Sequence, residues 1–136
     1  MNYLLDTNIC IALINGTSAM VRQRYSRARR HGQLPATSSI VAHELWYGVA
    51  KTKRITENAR RLDAFLTSAV DLLEYSEQDA HAAGEARAEL ERAGQRIGEY
   101  DTLIAGQALC RNLVLVTANT GEFGRVKGLV VEDWTE

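Results

Sequence analysis

Short apolar runs alternate with longer segments of helical period along this chain, and that alternation limits its fold more than any other feature. Tyr3-Leu4-Leu5 runs into Asp6-Thr7-Asn8, residues that favour turns and helix N-caps, and an apolar pattern resumes from Ile9 to Ile14. This reads as a buried strand feeding a helix. From Ser18 to His31, Val21, Tyr25 and Ala28 share one face while Arg22, Arg24, Arg27, Arg29 and Arg30 surround it, as in an amphipathic helix with a basic coat. Gly32 to Pro35 breaks the pattern, Ala36 to Ser38 suits a short strand, and Ser38 or Ser39 can cap a helix carrying Val41, Leu45 and Val49.

The spacing then predicts a helix over Thr56 to Val70 and a strand over Asp71 to Tyr75. Ser76-Glu77-Gln78-Asp79 is close to a capping box and opens an Ala-rich helix that runs to about Ala93 and stops at Gly94. A loop over Gly94 to Tyr100 leads to a helix that Asp101 starts, and strands follow at Leu113 to Thr117 and Leu129 to Val131. Strands alternating with helices give an α/β fold with a mostly parallel central sheet, and 136 residues suit one domain spanning 1–136.

Composition narrows the functional classes. No apolar stretch approaches the ~20 residues of a membrane span and no signal sequence is evident, so a soluble protein without a membrane partner is expected. Cys10 and Cys110 cannot make a disulfide framework, which suits a reducing, cytoplasmic compartment. With 16 Lys+Arg against 17 Asp+Glu, overall charge neither recruits nor excludes nucleic acid, and a polyanion needs a local basic patch or a metal.

The candidate chemistry is acidic. Ligands of open parallel sheets bind outside the carboxyl ends of the strands, where Asp6 lies, although Asp6 equally suits a helix N-cap. Glu44 falls within the apolar stripe of its helix, where it either has a partner or reaches water at the stripe's edge. Gly48, one turn on, suits close backbone approach or ligand room. Asp101 is either an N-cap or a first-turn charge favoured by the helix dipole, and its helix continues into the core through Ile104, Ala105 and Ala108. Three carboxylates brought together repel unless they share protons or bind a cation, and an all-oxygen set suits Mg²⁺ or Mn²⁺. His31, His43 and His81 are scattered and read as surface or packing residues, no spacing suits zinc, and no phosphate loop of the P-loop type is present. Metal-assisted hydrolysis of a phosphodiester remains.

These stretches carry a resemblance. Leu4-Leu5-Asp6-Thr7-Asn8, Glu44-Leu45 with Gly48, GQRIGEYDTLIA from Gly94 to Ala105, VTANTGEF from Val116 to Phe123, and GLVVEDW from Gly128 to Trp134 together resemble the PIN-domain ribonuclease toxins of the VapC type from bacterial toxin–antitoxin pairs. The resemblance implies a three-layer α/β/α fold, a homodimer, a cognate VapB-type antitoxin, operator DNA bound only through the antitoxin complex, and Mg²⁺-dependent cleavage of RNA, commonly tRNA, that inhibits translation. By position it makes Asp6 and Asp101 the principal metal ligands and Glu44 a ligand directly or through water, with Thr7, Asn8 and Thr117 supporting them by hydrogen bonds.

Two departures stand out. Many relatives have a fourth acid where this chain has Asn119, and the nearest carboxylate is Glu122, which is expected to replace it while Asn119 orients the loop. Glu99 stands where relatives often have Pro or another uncharged residue, adding negative charge beside the site. For RNA contacts, Arg22 to Arg30 is the first patch and Lys51, Lys53 and Arg54 a second, and each also suits a solvated face. Trp46 and Tyr47 suit base stacking, core or a dimer interface. Two other classes fit less well: an aspartate-based phosphatase, for which Asn8 fills the place of a needed second Asp, and a catalytically weak module that acts with its antitoxin on operator DNA.

Overall fold

A computed structural model describes residues 2–136. The chain runs β1 (Tyr3–Leu5), α1 (Thr7–Asn15), α2 (Ala19–Arg30), β2 (Ala36–Ser38), α3 (Ser39–Ala50), α4 (Ile55–Ser68), β3 (Asp71–Leu73), α5 (Glu77–Arg92), α6 (Glu99–Arg111), β4 (Val114–Val116), α7 (Thr120–Phe123) and β5 (Val131–Glu132). The five strands pair entirely in parallel in the order β3-β2-β1-β4-β5, and helices flank the sheet. No helix among the described residues is long and apolar enough to cross a membrane.

Burial explains the strand sequences. Leu4, Leu5, Leu115 and Val116 are fully buried, as befits central parallel strands covered on both faces. Ile9, Val21, Val41 and Ile104 close the helices onto them, and Trp134 packs edge-on against Tyr3 with ring centroids 5.1 Å apart. The helix ends follow local chemistry. Ser18 and Ser38 accept from Val21 N–H and Ile40 N–H, and Ser76 with Asp79 forms a complete capping box. Gly94, at φ 67°, supplies the left-handed turn just after α5.

Several boundaries differ from the sequence reading. The strand expected over Leu113 to Thr117 is shorter, because Leu113 N–H still bonds Ala108 O at the end of α6. β5 starts at Val131, beyond the positive-φ turn at Gly128, instead of at Leu129. Tyr75 lies outside β3, and its hydroxyl donates to Leu103 O at 2.7 Å to tie that segment to α6. The four-residue α7 was not anticipated from the sequence.

Candidate active site

The chain lays β1, β2 and β3 outward in one direction and then returns to place β4 on the other side of β1. The crevice between the carboxyl ends of β1 and β4 is therefore the switch point where open sheets bind ligands. Asp6 follows β1 there, with its N–H bonded to Val116 O at 3.1 Å, and Thr117 follows β4. Asp6 is 7 % exposed. Its Oδ1 accepts Ile9 N–H at 3.0 Å, so it does cap α1. Burial raises its pKa above the ordinary carboxylate value; the Thr117 hydroxyl and the backbone N–H groups of Ile9 and Asn8 oppose this, and the charge of Glu44 adds to it.

Glu44 is half-buried on α3, and Thr7 Oγ1 donates to its Oε1 at 2.9 Å. A Cβ added at Gly48 would meet nothing within 4 Å, so this glycine leaves space and no backbone approaches it. That space belongs to a groove of ≈ 250 Å³ between α1, α3 and α4, lined by Ile11, Ile14, Leu45, Val49 and Leu62 with Glu44 on its wall. Asp101 does not cap α6. Gly98 holds that position and Asp101 sits in the first turn, where the helix dipole favours a negative charge. Even so its pKa is pushed up to about 6, first by burial and then by the charges of Glu122, Glu44 and Asp6.

The unforeseen α7 brings Glu122 into this group. Thr117 Oγ1 accepts Asn119 N–H at 3.0 Å, and Asn119 Nδ2 donates to Glu122 Oε2 at 3.1 Å. A polar chain thus runs from Asp6 past the fully buried Thr117 to Glu122. Asn8 is exposed and serves Asp6 through its backbone N–H.

Other sequence candidates lie elsewhere. α2 leads through Gly32 to Pro35 into the N-terminal end of β2, which places Arg27, Arg29 and Arg30 toward the sheet edge opposite Asp6. Arg24 pairs with Glu132 at 2.7 Å and Arg29 donates to Tyr25 Oη at 2.9 Å, while Arg22 is exposed near Gly16. Glu99 faces a cleft with Arg87, Arg96 and Thr102, and is not among the charges that act on Asp101. His31 and His81 bond within their own helical turns, to Arg27 O and Glu85. His43 does not stand alone: its Nε2 lies 3.4 Å from Tyr100 Oη. The sequence signal for that pair was its place, His43 directly before Glu44 and Tyr100 directly before Asp101.

The donor set suits a hard divalent cation: the side chains that act on Asp6 and Asp101 offer oxygen, and among the described residues the charges that act on them are those of other carboxylates. Among the described residues no three such side chains converge closely enough to hold an ion by themselves. A hard divalent cation that keeps several waters and takes one or two carboxylates suits such an open arrangement.

A parallel sheet of this order with carboxylates gathered at its switch point defines a class of α/β proteins with an acidic crevice. Residues 3–129 match the PIN domain, and the chain belongs to that family. It is 41% identical over 135 residues to the tRNA(fMet)-specific endonuclease VapC of Shigella flexneri, covering 99% of both chains. It is 40% identical to ribonuclease VapC2 of Rickettsia felis, covering 98% of each. Among solved structures, it superposes with a TM-score of 0.91 on a chain of VapBC2 from Rickettsia felis bound to a promoter DNA fragment, at 40% identity and covering 98% of this chain and 99% of that one. For DNA-bound VapBC from Salmonella typhimurium the TM-score is 0.90 at 38% identity, covering 98% of each.

Proposed function

We propose that residues 1–136 form one PIN domain acting as a divalent-metal-dependent endoribonuclease, the toxin of a VapC-type pair, with Mg²⁺ as the metal and a tRNA as the substrate class. The observation that carries this reading is the gathering of Asp6, Glu44, Asp101 and Glu122 at one switch-point crevice, where the charges acting on Asp6 and Asp101 among the described residues are carboxylates. Asp6 and Asp101 would hold the metal, Glu44 directly or through water, and Glu122 through water. When bound, Mg²⁺ supplies Lewis-acid activation of water and stabilises charge developing on the phosphodiester. Thr7 fixes Glu44, and Thr117 with Asn119 holds Asp6 and Glu122 in register, so the carboxylates are oriented before substrate arrives.

The likeness to DNA-bound VapBC complexes supports a VapB-type antitoxin as partner, with operator DNA engaged through that complex; in this reading the free toxin is a homodimer. The apolar groove beside Glu44 gives such an antitoxin a seat next to the acids. The test is incubation of the antitoxin-free protein with total cellular RNA in Mg²⁺ and in EDTA. Discrete cleavage of tRNA in Mg²⁺ alone is expected; intact RNA under every divalent ion tried would refute the reading.

A further inference from the structure

The five tyrosines divide into two groups. Tyr3 packs against Trp134, Tyr25 Oη donates to Ala69 O at 2.7 Å, and Tyr75 Oη donates to Leu103 O at 2.7 Å. Each of these three is anchored to the fold. Tyr47 and Tyr100 are not, being 59% and 49% exposed. Both belong to one row. His43, Tyr47 and Lys51 stand four residues apart along α3 and its C-cap, which sets them on one face at steps of about 6 Å. Tyr100 joins at the His43 end from the first turn of α6, with ring centroids 5.6 Å apart and planes at 53°. At the other end Lys51 Nζ lies 4.4 Å from the centre of the Tyr47 ring.

The row begins where the acids are, since His43 immediately precedes Glu44 and Tyr100 immediately precedes Asp101. Exposed π-faces in line with a terminal cation are what a single nucleic acid strand needs: rings for successive bases and a charge for the backbone. Unpaired RNA bases in particular splay onto Tyr and His rings. A helical protein partner would instead favour the apolar groove along α3 lined by Leu45 and Val49.

We propose that Tyr100, His43 and Tyr47, with Lys51 at the far end, form a stacking track that holds unpaired nucleobases of a single-stranded RNA segment leading into the acidic crevice. The proposal rests on the ribonuclease reading and names how that site takes its substrate.

The test uses the full chain, free of antitoxin, and a short single-stranded oligoribonucleotide carrying one 2-aminopurine, in EDTA so that nothing is cut. Stacking is read as fluorescence quenching and affinity as anisotropy. Wild type should quench the probe. Tyr100→Leu and Tyr47→Leu, with unchanged melting temperature, should each weaken binding roughly tenfold and lose quenching, the size expected when one base–ring stack is removed. Tyr100→Phe and Tyr47→Phe should bind within about twofold of wild type, because the ring is what stacks. Lys51→Ala should lower the slope of log affinity against log salt by about one. Leucine variants that bind and quench like wild type overturn the proposal. So does a Tyr47→Leu protein that changes from dimer to monomer in light scattering with binding unaltered, which would assign the row to a second copy of this chain. Wild type that cleaves RNA in Mg²⁺ yet never quenches removes the track and leaves the ribonuclease reading standing. Absence of cleavage under any divalent ion removes both.

Discussion

Two clusters of buried acid in this molecule have opposite electrostatics. Asp79, at the start of α5, has no exposed side-chain surface, yet it is surrounded by donors. Ser76 N–H and Gln107 Nε2 reach Oδ2 at 2.9 and 3.1 Å, and Arg111 donates to both oxygens, at 3.2 Å from Nε and 2.9 Å from Nη2. Burial alone would raise its pKa, but the Arg111 and Ser76 bonds override it and bring it down to about 2. Asp101 is less enclosed, and its neighbouring charges are carboxylates, so it is pushed up to about 6. The first cluster carries its own cation and serves to fasten α5 to α6. Among the described residues the second has no such cation beside it, which is the electrostatic setting that the proposed metal site requires.

The sharpest way to break this contrast is to remove one charge from the cation-free cluster. Asp101→Asn and Asp6→Asn should each lower RNA cleavage by about 100-fold or more, as loss of a charge-stabilising group does in other active sites. Melting temperature without metal should hold or rise, because repulsion falls and Asn caps a helix as well as Asp does. Gel-based cleavage with parallel thermal melts checks both, and wild-type rates in either variant would end the metal-site assignment.

The complementary change removes the cation from the satisfied cluster. Arg111→Met leaves Asp79 buried without its ion pair, which should cost about 2–4 kcal/mol in denaturant unfolding. The figure is set below the full cost of a broken buried pair because the Arg111 side chain remains 32% exposed. Any metal requirement of the surviving folded protein should be unaltered.

The pH dependence of stability separates the clusters without any mutation. Asp101 binds its proton more tightly when folded, so the metal-free protein should gain stability as pH falls from about 6 toward 3.8, its ordinary value. Asp79 binds its proton less tightly when folded, so the stability it gives is complete above 3.8 and is lost as pH falls toward about 2. Chemical denaturation across this range should therefore show a rise and then a fall on acidification, with the rise reduced in Asp101→Asn, where the raised pKa of Asp6 still contributes.

The smallest effect concerns the outer edge of the cluster. Glu122→Gln should weaken the Mg²⁺ dependence of cleavage several-fold to about tenfold, at the low end of the ~10–100-fold effect of charged outer partners, and Asn119→Ala should act more mildly. Titrating activity against Mg²⁺ for both variants decides the matter. If Asn119→Asp raises activity while Glu122→Gln changes nothing, Glu122 has no part in the site.

Local chemistry was legible in the sequence. The apolar run ending at Asp6, the Ser caps and the Ser76–Asp79 capping box each depend on residues a few positions apart, so their patterns survive in one dimension. The candidate acids Asp6, Glu44 and Asp101 were legible too, since each stands at the mouth or on the edge of an apolar element. The tertiary structure decided which of them meet. Asp101 receives the charges of Glu122, Glu44 and Asp6 only because the strand order sets β4 beside β1, and Asp79 is neutralised by an arginine on the next helix rather than by a neighbour in sequence. The same packing paired Arg24 with Glu132, a partner 108 residues away that its charge pattern alone did not indicate. Charge acts across space and is screened over about 10 Å in salt solution, so its consequences belong to whichever residues the crossovers bring together.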